Sequence, residues 1–333
     1  MKILQIANYM DGCGGISVQV KLLCDLLRGD GYDCDILSTK GSFAKRIKTF
    51  FSLLSMGRRY EVFHIHACSE RGFFPAIVGI TIGKWLHRRI ILTYHGGGAD
   101  RFFSKNKRFV SYFLKKTDCN IVLSRFIGSI YDKYGFSYKI IPNMIKTNAD
   151  CFRLRSRIHP VFISIRSFTE TYNIFCTLKA YKIVKGSFSD AKLLLVGDGP
   201  LKEAIQSFAD DNGISDVSFI GRVSNSRIYD YLNQADIMIS SSRYDNMPVS
   251  VLEGFNAGLL VIATNVGGVP YMIEDGTNGL LFEDDNHIEM ANKMTYALTH
   301  QQDSIRMICN AYKSLSQYKW DSIKERLISI YNE

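Results

Sequence analysis

The sequence predicts an α/β protein made of two doubly wound domains that face a cleft. Short apolar segments alternate with amphipathic segments along both halves of the chain, which is typical of βαβ units and parallel sheets. The 333 residues are enough for two domains of about 150 residues each. The stretch between Pro142 and Pro160 interrupts the alternation. We therefore expect one domain over residues 1–150 and a second over residues 151–319.

The first half of the chain carries apolar segments of strand length. We predict strands at 2–7, 33–38, 61–66, 89–94, 119–123 and 138–141. Helices are predicted between them, where apolar residues recur at helical spacing, at 16–29, 43–57, 70–86, 104–116 and 124–134. The longest apolar run, near Phe73 to Ile82, is too short to span a bilayer.

The second half repeats the alternation. Strands are predicted at 161–166, 192–197, 217–220, 236–240, 259–263 and 279–282, and helices at 174–185, 199–212, 225–234, 249–257 and 284–299. Pro248 suits the first position of the helix at 249–257, because its missing N–H needs no partner there. A last helix is predicted at 320–331, with Asp321 as its N-terminal cap.

Composition indicates an ordinary globular protein of a reducing compartment. The chain is 46% hydrophobic and 22% charged. Its eight cysteines include no C-x-x-C pair, which argues against a zinc site and against a disulfide framework. The first residues, Met1 to Ala7, lack the charged start, apolar core and cleavage site of a signal peptide. We therefore expect a cytoplasmic protein.

Charge divides unevenly between the two halves. Residues 1–150 contain 23 Lys and Arg against 11 Asp and Glu, a net charge of +12, whereas residues 151–333 carry −3. Residues 45–54 mix basic and aromatic side chains on one predicted helix, and residues 101–108 form a second such cluster. These clusters favour an anionic membrane surface or an anionic acceptor. The alternative is an amphipathic helix packed on the sheet, with its lysines in solvent.

The segment from Ser240 to Pro270 is the most informative for function. Asp245 precedes the predicted helix at 249–257, and Glu253 lies inside it. A helix start offers free N–H groups and a positive dipole end, which suit a phosphate group. Two carboxylates that can hold hydroxyl groups, beside loops that tolerate phosphate, indicate a nucleotide diphosphate sugar. The alternative is that Asp245 caps the helix and Glu253 is a solvated helix residue.

Other predicted strand ends carry residues suited to the same ligand. Gly14 and Gly15 follow the first strand, where small residues let backbone amides approach a phosphate. His95, Arg166 and Gly197 also lie at the ends of strands, where doubly wound sheets bind their ligands. Each has a structural alternative: a tight turn for the glycines, a satisfied core histidine, and a surface salt bridge for the arginine.

The order of these phrases resembles the retaining glycosyltransferases of family 4, which have the GT-B fold of two Rossmann-like domains. The resemblance covers residues 2–300. It implies an N-terminal acceptor-binding domain, a C-terminal nucleotide-sugar-binding domain, and a last helix that packs back on the first domain. It also implies catalytic roles for His95, Asp245 and Glu253, in which Asp245 holds the sugar hydroxyls and Glu253 holds the ribose.

The resemblance further implies a set of donor-binding residues. Arg166 would neutralise the diphosphate, and the loop of Arg222 and Val223 would lie against the base. The full donor-binding set is Gly14, Gly15, Arg166, Gly197, Arg222, Val223, Asn246, Met247, Pro248, Val249, Ser250 and Glu253. No metal and no cofactor are expected, because Arg166 and helix N-termini would carry the charge of the diphosphate.

Four positions depart from the family pattern. Asp245 stands where the family usually has Glu, and Pro248 and Val249 stand where it often has Gly-Leu. Thr171 occupies the position at which the family has a second diphosphate-binding cation, a lysine. The loss of that cation bears on activity, because charge must be neutralised as the leaving group departs.

We therefore expect a retaining glycosyltransferase of the hexosyl or N-acetylhexosaminyl type. The expected donor is a UDP-sugar, and the expected acceptor is a glycan or lipid-linked acceptor of cell-surface polysaccharide biosynthesis, such as lipopolysaccharide or capsule, at the inner face of the plasma membrane. One alternative is a non-catalytic GT-B scaffold subunit, which Thr171 and Asp245 favour. A second is a sugar-nucleotide epimerase of the same fold. No nucleic-acid-binding module is recognised, so nucleic acid is not an expected partner.

Overall fold

The computed structural model describes residues 1–12, 14–147 and 151–333 of the chain. The chain divides into two compact units: unit 1 comprises Met1–Lys146 and Tyr318–Glu333, and unit 2 comprises Thr147–Gln317. Cys13, which belongs to the first predicted glycine loop, and residues 148–150, at the predicted domain boundary, lie outside the described residues.

Unit 1 is built on a parallel sheet. Its strands are β1 (Lys2–Ala7), β2 (Asp33–Ser38), β3 (Val62–Ala67), β4 (Arg89–Tyr94), β5 (Cys119–Val122) and β6 (Lys139–Ile140). They pair in the order β2-β1-β3-β4-β5-β6, and every pair is parallel. The connecting helices are α1 (Gly15–Gly29), α2 (Phe43–Met56), α3 (Phe74–Trp85), α4 (Ala99–Lys105), α5 (Lys107–Leu114) and α6 (Arg125–Tyr134).

The single helix predicted at 104–116 is wrong, because the structure has α4 and α5 there, with a break at Asn106. Asn106 has φ −124° and ψ 29°, which lies outside the helical range. Its side-chain amide donates to the carbonyl oxygen of Phe102 at 3.0 Å. Asn competes for backbone groups in this way, and the competition explains the break.

Unit 2 repeats the architecture with a different strand order. Its strands are β7 (Val161–Ile165), β8 (Lys192–Val196), β9 (Val217–Gly221), β10 (Ile237–Ser240), β11 (Leu260–Thr264) and β12 (Leu280–Phe282). They pair in parallel in the order β12-β11-β10-β7-β8-β9. The helices are α7 (Ile174–Ser187), α8 (Lys202–Asp211), α9 (Ile228–Leu232), α10 (Val249–Asn256), α11 (His287–Thr299) and α12 (Gln301–Ser314).

The chain ends in α13 (Trp320–Asn332), which packs on unit 1. Its apolar residues Ile323, Leu327 and Ile330 share a buried cluster with Ile3 of β1. The prediction that Asp321 caps this helix is wrong, since Lys319 occupies the N-cap and no side chain caps it. Asp321 lies in the first turn instead, where a carboxylate still favours the helix dipole.

Each sheet has a switch point, where the strand order reverses. In unit 1 the reversal lies between β1 and β3, and in unit 2 it lies between β7 and β10. Connections leave opposite faces of the sheet on either side of this point, so a crevice opens beyond the carboxyl ends of the two strands. The candidate site residues are therefore best sought at these two edges. No helix within the described residues is long and apolar enough to cross a membrane.

Candidate functional site

A buried ion pair lies at the switch point of unit 2. Arg166 directly follows β7, and Asp245 lies in the loop after β10. The Arg166 Nη1 atom is 3.2 Å from Asp245 Oδ2, and Nη2 donates to the hydroxyl of Ser240 at 2.7 Å. The Arg166 side chain is only 8% exposed, so it is not a surface salt bridge. Ser240, the last residue of β10, was missed by the sequence analysis.

The segment after β7 lies against the same guanidinium. The ring of Tyr172 is 5.2 Å from the Arg166 Cζ atom, a cation–π contact. Thr171 lies beside it, with its hydroxyl donating to Tyr244 at 3.1 Å and its carbonyl accepting from the backbone N–H of Arg243. Thr171, at the position where the family has a lysine, thus links the segment after β7 to the loop after β10. The sequence analysis assigned no role to Tyr172, and only its place in the segment after a strand could have indicated one.

The glycine loop after β8 is shaped by close backbone contact. A Cβ atom on Gly197 would come within 1.9 Å of the Arg166 carbonyl oxygen, and its φ is +156°. A Cβ atom on Gly199 would come within 2.4 Å of the Phe168 carbonyl oxygen. Only glycine fits at these two positions, because the loop packs directly on the chain that carries Arg166.

The turn between Asp245 and α10 differs from the sequence prediction in one detail. Pro248 is the N-cap residue, with an extended ψ of 119°, so it precedes the first helical position rather than occupying it. No side chain caps α10, so the interpretation of Asp245 as a helix cap is wrong. Its Oδ1 atom instead accepts from the backbone N–H of Asn246 at 2.8 Å, and its carbonyl accepts from the Gly268 N–H.

Glu253 lies inside α10 and is only 8% exposed, so it is not a solvated helix residue. Burial raises its pKa to about 7, although Arg166 and a hydrogen bond from Asn225 oppose the shift. Burial also raises the pKa of Asp245, again against Arg166. Near neutral pH, Glu253 can therefore carry a proton and both donate and accept a hydrogen bond, as a hydroxyl-binding group requires. Asn225, in the loop after β9, was missed.

Several buried polar atoms around this switch point have no hydrogen-bond partner among the described residues. They are Arg166 Nε, Ser242 Oγ and Ser250 Oγ. Ser250 lies in the first turn of α10, two residues past the N-cap. Unpaired buried polar atoms are uncommon in folded proteins, so a cluster of them indicates a place for a ligand.

The remaining predicted donor-binding residues of unit 2 lie on neighbouring loops. Asn246, Met247, Pro248 and Ser250 are buried, and Val249 is half-buried. Arg222 is exposed and Val223 half-buried in the loop that follows β9. The sheet thus brings the predicted set of this unit to the carboxyl ends of β7, β8, β9 and β10.

The predicted residues of unit 1 lie at the carboxyl ends of β1 and β4. Gly14 has φ +80° and is the N-cap of α1, while Gly15 begins that helix. Apart from the chain neighbours of Gly14, no heavy atom of the described residues lies within 4 Å of the position of a Cβ on this glycine. Its backbone conformation rather than crowding therefore calls for glycine. His95 directly follows β4.

His95 is half-buried and contacts a hydrogen-bonded cluster of buried residues. Its Nε2 atom is 2.9 Å from His66 Nδ1, and His66 Nε2 is 2.7 Å from Gln5 Oε1. His64 contacts Thr93 and Tyr331 through its two ring nitrogens, at 2.7 and 2.6 Å. Burial lowers the pKa of His95 to about 4 and that of His64 to about 3, so these rings are neutral at pH 7.

Gln5 and Tyr331 were missed as members of this cluster. Gln5 interrupts the apolar run that follows Lys2 in β1, and that irregularity is the sequence signal that could have identified it. Tyr331 comes from α13, far away along the chain, and the sequence carries no local sign of the contact. Within the described part of the chain, no group of His, Cys, Asp and Glu side chains is arranged to hold a metal ion.

Two family models match the chain. The model for glycosyl transferases group 1 matches residues 153–314, and the model for glycosyltransferase family 4 matches residues 40–149. The chain belongs to the family 4-type glycosyltransferases of GT-B fold. The resemblance inferred from the sequence is thereby confirmed.

Known relatives of this glycosyltransferase span its whole length. It is 23% identical over 368 residues to an uncharacterized glycosyltransferase of Methanocaldococcus jannaschii, covering 100% of this chain and 98% of that protein. Anabaena HepE, solved in complex with UDP and glucose, has a TM-score of 0.79 and 15% identity, covering 100% of both chains. Sucrose-phosphate synthase from Thermosynechococcus elongatus has a TM-score of 0.81 and 15% identity, covering 100% of this chain and 98% of that one. The predicted GT-B fold is confirmed.

Proposed function

We propose that this glycosyltransferase moves a hexosyl or N-acetylhexosaminyl group from a UDP-sugar to an acceptor, with retention of configuration. The observation that carries the proposal is the buried Arg166 at the switch point of unit 2. It already has one carboxylate and one hydroxyl partner, yet its Nε atom has no partner among the described residues. A buried cation with a free donor is suited to an anionic ligand.

In this proposal Arg166 binds the diphosphate of the donor. The guanidinium is planar and always charged, so it can neutralise the negative charge that builds up on the leaving nucleotide. The first turn of α10, which includes Ser250, offers free N–H groups and an unpaired hydroxyl for the same phosphates. These cationic and dipolar groups take the place of a metal ion, so we propose that transfer needs none.

Glu253 and Asp245 are assigned different parts of the donor. Glu253 lies in α10 and is proposed to hold the ribose hydroxyls, while Asp245 is proposed to hold hydroxyls of the transferred sugar. His95 is proposed to hydrogen-bond a sugar hydroxyl or the leaving diphosphate during transfer. The UDP and glucose bound to Anabaena HepE support UDP as the nucleotide, because the folds match over the whole chain.

We propose a glycan or lipid-linked acceptor at an anionic membrane surface. Ile47, Phe50 and Phe51 on α2 are exposed, at 44, 37 and 63%, next to exposed lysines of the same helix. On α5, Phe109 and Tyr112 are also exposed, at 43 and 58%. Exposed aromatics beside lysines are typical of surfaces that bind at a membrane interface.

The two exposed clusters meet at the start of α3. Arg46 of α2 lies over the ring of Phe74 at 4.6 Å, and Phe109 of α5 contacts Phe73 at 5.8 Å between ring centroids. The side chain of Arg46 therefore packs against α3. Lys45 and Lys48 remain as the exposed cations of α2. This continuity supports one membrane-facing surface rather than two unrelated patches.

Ligand-induced thermal stabilisation tests the donor assignment. A nucleoside diphosphate at 100 times its Kd should stabilise the protein by about 2.7 kcal/mol. At equal concentrations, UDP should stabilise the protein more than the other nucleoside diphosphates do. Glu253→Gln should weaken UDP binding, whereas Asp245→Asn should spare UDP binding and reduce transfer. If both variants lose UDP affinity equally, the separate roles are wrong.

Product analysis distinguishes the remaining functions. Retention predicts that NMR of the product shows the anomeric configuration of the donor. An altered sugar released without any acceptor would show an epimerase. Failure to bind any nucleotide diphosphate at millimolar concentration would show a scaffold subunit.

A further inference from the structure

The hydrogen bonds around His66 fix which nitrogen of His95 carries the proton. A neutral imidazole has one N–H donor and one acceptor nitrogen, and its partners decide which is which. His66 touches Gln5 Oε1 at 2.7 Å on one side and His95 Nε2 at 2.9 Å on the other. An amide oxygen can only accept, so His66 Nε2 must donate to it. His66 Nδ1 is then an acceptor, and His95 Nε2 must donate to it.

The orientation of the Gln5 amide is itself held by neighbours. Gln5 is fully buried, and its Nε2 atom lies 3.6 Å from the Sγ atom of Cys34. His64 contacts the hydroxyls of Tyr331 and Thr93, and a hydroxyl can donate or accept, so His64 places no demand on the Gln5 amide. The contacts of Gln5 and His66 are thus satisfied by one arrangement of protons.

We propose that Gln5 and His66 are positioning residues that hold His95 as the Nε2–H tautomer, with Nδ1 as its acceptor nitrogen. In that tautomer the Nδ1 atom of His95 can only accept a hydrogen bond, and the contact with His66 holds the ring in one orientation. Burial lowers the pKa of all three histidines, so the neutral rings persist at pH 7. This inference rests on the proposed function only for the role of His95 in sugar transfer.

The tautomer is measurable without any activity. Long-range ¹H–¹⁵N correlation spectra of protein labelled at histidine separate protonated from unprotonated ring nitrogens. The chain has seven histidines, and His95→Gln identifies the His95 signals. In the wild-type protein at pH 7 we expect a protonated His95 Nε2 and an unprotonated Nδ1. A protonated Nδ1 would overturn the proposal.

Two substitutions then test the source of the tautomer. Gln5→Met removes the acceptor for His66, so His95 should populate both tautomers. Tyr331→Phe is the matched control, because it removes a buried hydroxyl that contacts His64 while the His66–His95 contact stays. It should shift the His64 signals and leave those of His95 unchanged. An unchanged His95 in Gln5→Met, or an equal disturbance in Tyr331→Phe, would contradict the positioning role.

Kinetics separate this inference from the proposed function. Partners that orient a functional histidine are worth about 10–100-fold where they have been measured at metal sites. We expect Gln5→Met to lower kcat for transfer by roughly tenfold with little change in KM for the donor. If His95→Gln transfers sugar at the wild-type rate, the catalytic role of His95 fails, while the tautomer spectra still decide the role of Gln5.

Discussion

The two switch points of this glycosyltransferase use buried polar groups in opposite ways. In unit 1 the crevice edge holds the neutral imidazoles of His64, His66 and His95. In unit 2 it holds the charged guanidinium of Arg166 with two carboxylates, Asp245 and Glu253. Both sets are largely removed from water. The contrast is the basis of our proposal that unit 2 binds an anion and that unit 1 binds neutral hydroxyl groups.

Burial shifts the pKa values of the histidines and of the carboxyl groups in opposite directions. Removing water disfavours the charged form of any group, so it lowers the pKa of a histidine and raises that of a carboxylic acid. The pKa of His95 is shifted to about 4 and that of Glu253 to about 7. Each switch point thus holds groups whose pKa is shifted by the fold, which is common at functional sites.

The largest effect should come from removing the cation of unit 2. Truncating one partner of a buried, hydrogen-bonded charge pair costs about 2–5 kcal/mol. We therefore expect Arg166→Ala to weaken UDP binding by at least about 30-fold, because 1.4 kcal/mol is a factor of ten. Isothermal titration calorimetry with UDP and with uridine checks this, and the uridine affinity should change little.

His95→Gln is the comparison from the other unit. It should leave UDP affinity within about twofold while lowering the rate of transfer, since we assign it no contact that holds the free nucleotide. Equal losses for UDP and uridine in Arg166→Ala would show that Arg166 is structural. A large loss of UDP affinity in His95→Gln would contradict the separate roles proposed for the two switch points.

Much of this contrast could be predicted from the sequence, because the apolar pattern predicts where each strand ends. Every predicted strand is present with its ends shifted by no more than one residue. Arg166, His95 and Gly197 could be assigned to the carboxyl edges on that basis. The break at Asn106 could not, because it depends on one side-chain hydrogen bond to Phe102 within an otherwise helical pattern.

The partners of the site residues were harder to predict than the residues themselves. Tyr331 reaches His64 from the last helix, and Ser240 meets Arg166 only because β10 pairs with β7. Strand order is set by the packing of whole helices on the sheet, which no local pattern encodes. The burial of Glu253, and hence its raised pKa, follows from the same packing.

The stabilities of the two units should respond to acid in opposite directions. Glu253 has a folded pKa of about 7 against an ordinary value of 4.5, so folded unit 2 binds the extra proton between these values. Its stability should fall by about 3 kcal/mol as pH rises through this window. His64 and His95 have folded pKa values of about 3 and 4 against an ordinary value of 6.5, so unfolded unit 1 binds the extra protons. Unit 1 should therefore lose stability as pH falls below 6.5.

Hydrogen exchange resolved by mass spectrometry measures each unit within the full chain. Between pH 6.5 and 4.5, corrected for intrinsic rates, protection should fall for peptides of β3 and β4 and rise for peptides of β7 and β10. Asp236 in unit 2 has a lowered pKa, so its titration changes the stability of unit 2 only below about pH 4, outside this window. Glu253→Gln should flatten the profile of unit 2 alone. Parallel profiles for the two units would contradict the contrast between their switch points.

The smallest effect should distinguish the outer surfaces of the two units. Lys45 and Lys48 are exposed on α2 of unit 1, and Lys179 and Lys182 are exposed at the same spacing on α7 of unit 2. A lysine near an anionic bilayer contributes roughly 1 kcal/mol, and salt screens it over about 8 Å at physiological ionic strength. Replacing the first pair with Gln should weaken binding to phosphatidylserine vesicles in co-sedimentation, whereas replacing the second pair should not. Part of the vesicle binding should resist salt, because it comes from Phe50 and Phe51 rather than from charge. Replacing these two residues with Ser should abolish that salt-resistant part.

The comparison of the two lysine pairs decides between a specific surface and overall charge. Equal losses of vesicle binding for both pairs would mean that overall charge, rather than the face formed by α2 and α5, brings the protein to vesicles. A soluble acceptor would then be the better proposal.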